Sequence, residues 1–172
     1  MAQPTLHTWT AGEALRLGLH PAERTDPEPK ALACYGLWLP AQERMFLRFV
    51  DGRPVSPVTC AFLAWVAEQL AAKGIRVLAL VWDNASWHIS QEVQVWLRQH
   101  NRAVKAAGRG CQLLVCRLPS RSPWLNAIEP KWVHGKRAVV EPARKLTAAE
   151  LQQRLCAYYR TPLLQPLAQQ LA

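Results

Sequence analysis

The sequence predicts an α/β domain, and three observations lead to that fold class. Residues 75–82 (IRVLALVW) and 111–118 (CQLLVCRL) are β-branched, nearly continuous apolar runs of strand length, as expected for strands of a covered α/β sheet. Between them, Ser90 can cap a helix running to about Lys105, which Gly108 and Gly110 then end. Ahead of them, residues 58–74 put Phe62, Trp65, Val66 and Leu70 on one face before Gly74, the pattern of an amphipathic helix with a stop. The resulting order of helix, strand, helix, strand is that of a layered α/β unit.

The remaining elements follow in order. Residues 1–29 are rich in proline and charge, and Pro27, Glu28 and Pro29 mark a loop before residues 31–39 (ALACYGLWL), which read as a buried strand. Residues 44–50 (RMFLRFV) form a hairpin with that strand and end at Asp51-Gly52, a turn signal that makes Asp51 a turn residue rather than a ligand. The strand over 75–82 is expected to be buried on both faces, with Asp83 at its C-terminal end, where open α/β sheets place ligands and catalytic groups. After the proline-punctuated loop PSRSP at 119–123, Glu129, Trp132, Val133 and Lys136 fall at i, i+3, i+4 and i+7, so Glu129 projects from a helix near its start. Thr147 and Glu150 form a capping box opening a helix whose apolar side is Leu151, Leu155, Tyr158 and Tyr159. This gives a main domain over 1–145 and a helical tail over 146–172 that packs on the domain or on a partner.

Composition narrows the function. A chain of 172 residues that is 50% hydrophobic is long enough for one folded domain with its own core. Its net charge of +9 reflects scarce acids as much as abundant bases, for Asp26, Asp51 and Asp83 are the sole aspartates. That balance favours a polyanionic partner such as nucleic acid. Cys34, Cys60, Cys111, Cys116 and Cys156 are odd in number and contain no C-x-x-C pair, which argues against disulfides and zinc. Cys111 and Cys116, five apart in a strand, face opposite sides, and both read as small buried hydrophobes in a reducing compartment. No apolar run approaches the roughly 20 residues of a membrane span and the N-terminus lacks a signal-peptide core. A cytoplasmic location is expected.

Asp83 and Glu129 suggest phosphoryl chemistry. Two divalent ions about 4 Å apart can activate an attacking oxygen and stabilise a leaving oxygen at phosphorus, and carboxylates are the ligands such ions prefer. Donors on separate elements must converge, and a strand-end Asp with a helical Glu beyond the next strand can do so. By itself such a pair is weak support, since many α/β domains contain one by chance.

The words around the acids are more specific. Residues 81–90 (VWDNASWHIS) and 118–137 (LPSRSPWLNAIEPKWVHGKR) resemble the DDE transposases of the IS630/Tc1-mariner group, convincingly over about residues 30 to 140. The resemblance implies an RNase H-like fold, a mixed sheet flanked by helices. It implies that Asp83 and Glu129 are the second and third of three metal-binding acids, and that the family's reaction is Mg2+-dependent (or Mn2+-dependent) DNA cleavage and strand transfer at the ends of a mobile element. Arg121 stands in the PSRSP loop where many relatives have an aromatic residue. In the family the first acid lies on the first, central strand, followed closely by a tryptophan-containing segment that Thr8-Trp9-Thr10 matches. That strand would fall before Met1, as would the helix-turn-helix region that recognises the element ends.

The expectation is therefore a partial catalytic domain, inactive alone, as a remnant, a mis-called start or half of a frameshifted product. Its partners would be transposon and target DNA, together with a homodimeric copy or a complementing N-terminal transposase half. Two alternatives are a complete nuclease recruiting Asp26 or Asp51, and a non-catalytic DNA-binding or assembly module. Asn84, His88 and Asn126 are candidates to orient the acids or a water; His88 can equally make a structural hydrogen bond, and Asn126 can cap the helix of Glu129. Arg121, Trp124, Lys131, Trp132, Lys136 and Arg137 are candidate DNA contacts, with a solvated helix face as the alternative for the cations. Trp65, Trp82 and Trp96 sit on apolar faces and read as core.

Overall fold

The computed structural model describes residues 6–10, 13–17, 32–120, 122–139 and 146–168. The segment ahead of Pro27, read from sequence as rich in proline and charge, contains a hairpin of β1 (Leu6–Thr10) and β2 (Glu13–Leu17) in which Leu6 pairs with Leu17 and Thr10 with Glu13. A second hairpin joins β3 (Ala33–Leu39) to β4 (Arg44–Val50), with Ala33 opposite Val50 and Leu39 opposite Arg44. Pro40–Gln42 form a single 3-10 turn between them, and Glu43 takes the left-handed conformation that reverses the chain.

Helix α1 (Ser56–Ala71) begins with Pro57 in its first turn, where the missing N–H costs nothing. It ends in a paired bond set: Gly74 N donates to Ala71 O and Ile75 N to Leu70 O. Gly74 carries a φ of 77°, which explains the glycine at this stop. Strand β5 (Val77–Trp82) follows, then a single turn α2 (Ser86–Ile89), and α3 (Gln91–Ala107) capped by Ser90 Oγ, which accepts from Val93 N. Strand β6 (Gln112–Arg117) runs parallel to β5, with Val77 opposite Gln112 and Trp82 opposite Arg117. The last helices are α4 (Glu129–Val139) and α5 (Ala148–Tyr159), the latter with the full Thr147–Glu150 capping box.

The β3–β4 hairpin is a wall between two cores. One face carries Tyr35, Leu37, Phe46 and Val50 into a cluster with α1, α3 and the inner face of β5. The other carries Met45, Leu47 and Phe49 against Val139, Leu155 and Cys156 of α4 and α5. Strand β4 is therefore buried on both faces. Thr59, the buried polar residue of α1, is satisfied by Tyr35 Oη at 2.7 Å while its own hydroxyl donates to Val55 O.

The described strands form three two-stranded ladders, β1–β2, β3–β4 and β5–β6, and the expectation of a mixed sheet without its first, central strand likewise leaves the strands over 31–39 and 75–82 each short of a neighbour. The pairing stops because β3 and β5 each have a partner on one edge and no described strand lies between them. A different expectation about the sheet is corrected. Strand β5 is not buried on both faces: Leu78, Leu80 and Trp82 point inward, whereas Val77 and Val81 are 49% and 48% exposed. Helices α1 and α3 both cover its inner face, so Leu114 and Cys116 of β6 share the outer one with Val77 and Val81. Cys111 and Cys116 do face opposite ways, but Cys111 alone is buried. Among the described residues, no helix is long and apolar enough to cross a membrane.

Candidate active site

Asp83 is the first residue after β5, where the strand ends and its side chain is released from sheet packing. Its carboxylate is held in place rather than free to rotate. Oδ1 accepts from Ala85 N at 3.0 Å, an Asx-type turn that starts the loop into α2, and stands 2.7 Å from His88 Nδ1. His88 is in turn fixed by its ring, which stacks on Trp82 with centroids 4.7 Å apart and planes within 4°. Trp82 is the last residue of β5, so one strand end supplies both the acid and the platform for the imidazole that orients it. The Asp83 side chain is 53% exposed and its Oδ2 accepts from no described residue. That oxygen is open to a cation.

Glu129 is the first residue of α4, where a carboxylate is favoured by the unpaired N–H groups of the opening turn. Its backbone N donates to Asn126 O at 3.0 Å, and Asn126 Oδ1 lies 3.5 Å from Ile128 N, so Asn126 shapes the helix entry. The half-buried Glu129 carboxylate has no hydrogen-bond partner among the described residues. Asp83 and Glu129 line one cleft of about 510 Å³ between β3 and β5, together with His88, Asn126 and Lys136. The donor set suits a hard divalent cation, since both open groups are carboxylate oxygens. Among the described residues, no group of three or more His, Cys, Asp or Glu side chains that could hold a metal ion is found. Asp51 lies in an exposed bend after β4, where its N donates to Leu167 O, and is not part of the cleft wall. Asp26 lies outside the described residues.

The other predicted residues divide by position. Asn84 Nδ2 donates to Leu118 O at 2.8 Å, tying the loop after β5 to the end of β6. Lys131 places Nζ 4.3 Å over the ring of Trp38, and Lys136 lines the cleft, while Arg137 points to solvent. Trp124 is 75% exposed beside the site. Trp132 instead lies half-buried over Gly36 of β3, edge-on to Tyr159. Arg121 lies outside the described residues. Sequence reading assigns Trp82 to the core alone; its stacking on His88 has no signature in spacing, because the segment between them folds back through α2.

Burial pushes the thiols of Cys34 and Cys60 up to about 11, and those of Cys111 and Cys156 upward too, so each stays protonated near neutrality.

No curated protein matches the chain. Residues 11–152, a span that includes both open carboxylates, match the family described as DDE superfamily endonuclease. With that match spanning most of its length, the chain belongs to the DDE superfamily endonuclease family.

Proposed function

We propose that this chain is the catalytic portion of an IS630/Tc1-mariner-type transposase, RNase H-like in fold, which cleaves DNA at the ends of a mobile element and joins them to a target. Asp83 and Glu129 hold the divalent ions, and a third carboxylate comes from outside the described residues, so these residues alone are inactive. The observation that carries the reading is the convergence of two open carboxylates on one cleft, one of them locked by His88. Membership of an endonuclease superfamily that generally uses divalent metal ions and binds DNA supports it. Bound ions would supply charge neutralisation at phosphorus and an activated oxygen nucleophile. The chain's own residues do the positioning: His88 and Ala85 N hold Asp83, the α4 entry holds Glu129, and Lys131, Lys136, Arg137 and Trp124 engage the DNA backbone and bases near the cleft.

The test is Mn2+ binding by the purified chain alongside plasmid nicking. Binding that Asp83→Asn and Glu129→Gln each weaken by roughly tenfold or more, without Mg2+-dependent nicking, is expected. Binding indifferent to both substitutions refutes the site. Nicking abolished by Asp51→Asn or Asp26→Asn would replace this reading with a self-sufficient nuclease. Salt-sensitive DNA binding that survives the double substitution while no metal binds would leave a DNA-binding module.

A further inference from the structure

Of the two open carboxylates, Asp83 is fixed by contacts to its own oxygen, from Ala85 N and His88, whereas the Glu129 carboxylate has no hydrogen-bond partner among the described residues. Its place in the cleft is therefore set by the helix that carries it. That helix is anchored within its first turn. Lys131 lays Nζ 4.3 Å over the ring of Trp38 in β3, and Trp132 lies over Gly36 of the same strand. A further anchor comes from α5, whose last residue, Tyr159, donates from its hydroxyl to Lys131 O at 2.7 Å. That bond needs an opening in the surface of α4. In an α-helix the carbonyl of residue 131 pairs with the N–H of residue 135, and side chains tilt toward the N-terminus, so a side chain at 135 covers the carbonyl at 131. Residue 135 is a buried glycine, an unfavourable choice for a helix interior. A Cβ there would overlap Tyr159 Oη and stand 2.7 Å from its Cζ, so the glycine is what opens Lys131 O to a second donor.

The hydroxyl is itself held in place. The Tyr159 ring meets Trp132 edge-on with centroids 5.9 Å apart and Tyr158 edge-on at 4.9 Å. Directly behind it, Arg160 turns left-handed with a φ of 52° and Thr161 N donates to Cys156 O at 2.9 Å, a closed helix end that fixes the residue before it. Burial pushes the phenol upward, so it stays protonated and remains a donor. We propose that Tyr159 is a positioning residue for Glu129: seated on Lys131 O through the gap at Gly135, it sets where α4 starts and hence how far Glu129 stands from Asp83 across the cleft. The proposal rests on the reading of Asp83 and Glu129 as metal ligands. Hard divalent cations hold oxygen ligands at about 2.0–2.6 Å, so a drift of a few tenths of an ångström in α4 weakens the site. Helix α5 then belongs to the metal-binding unit, because one bond at its end governs a ligand.

The test measures the Mn2+ affinity of the full chain by titration calorimetry, with circular dichroism establishing that each variant is folded. Tyr159→Phe removes the hydroxyl and keeps the ring against Trp132. It is expected to weaken Mn2+ binding about fivefold, less than the roughly tenfold or more for a group bonded directly to a ligand. Gly135→Ala, which fills the gap although alanine favours the helix, is expected to weaken binding at least as much and serves in place of Tyr159→Phe if that variant does not fold. The Glu129→Gln background separates positioning from general support. There Tyr159→Phe should leave the residual affinity unchanged, because the carboxylate it positions is gone, whereas a loosened fold would lower it again. Wild-type affinity in both Tyr159→Phe and Gly135→Ala, or a second loss in the Glu129→Gln background, overturns the positioning role alone. Mn2+ binding that Glu129→Gln itself leaves unaltered overturns the metal-site reading and this proposal with it.

Discussion

Replacing Gly36 by alanine tests how the β3 edge and the helix carrying Glu129 are coupled. A Cβ built on Gly36 stands 2.6 Å from Trp132 Cη2 and 3.3 Å from Ile128 Cδ1, with Trp132 Cζ2 nearer still. The usual carbon–carbon contact is about 3.5–4.0 Å, so the ring must move by about 1 Å. It has little room, since Tyr159 meets it edge-on with centroids 5.9 Å apart and the Tyr159 hydroxyl donates to Lys131 O at 2.7 Å on the same helix. Overpacking of this kind costs about 1–3 kcal/mol, and displacing Trp132 displaces α4, on which Glu129 sits three residues earlier. Urea denaturation of Gly36→Ala should therefore show a loss in that range, with weaker Mn2+ binding. Trp132→Leu in the same chain relieves the clash, giving a coupling of about 1 kcal/mol or more in a double-mutant cycle. Additive losses would refute this packing.

Three further outcomes follow from the site. His88→Ala removes the 2.7 Å hydrogen bond to Asp83 and the stack on Trp82 and should weaken Mn2+ binding by about tenfold or more, the scale for losing a group that orients a ligand; unchanged affinity would show that Asp83 needs no such support. The Cys34 thiol is pushed from 9.0 to about 11 by burial, so between pH 9 and 11 the unfolded chain has released this proton while the folded chain retains it. Stability is thus lost as pH rises through that window, by about 1.4 kcal/mol per pH unit from this group; urea curves for Cys34→Ala should be flatter there, and parallel curves would contradict the burial. Replacing Lys131, Lys136 and Arg137 singly by glutamine should lower the slope of log affinity for DNA against log salt by about 1 for each phosphate left without its cation, and an unaltered slope at any position assigns that side chain to solvent.

Much of the local architecture was legible in the sequence because local signals carry it. Ser90, Gly108, Gly74 and the Thr147–Glu150 box act within one helical turn, and each starts or stops the helix it was expected to. The places of Asp83 at a strand end and Glu129 at a helix start were equally legible, from periodicity and the intervening element order. The apolar run of β5 misled, because a strand covered on both faces and a strand with one apolar face left open have the same composition.

The sequence by itself determined the α/β class, the helix ends and the two motifs that hold the acids, since each depends on residues within about a turn or a strand of one another. Tertiary structure alone decided which strand edges are paired, that His88 stacks on Trp82 to hold Asp83, and that Trp132 closes over Gly36. Those are contacts between side chains or backbones far apart in sequence or folded back by a turn, and periodicity carries no record of the partner on the other side. An edge becomes open or sealed only when the neighbouring element is in place.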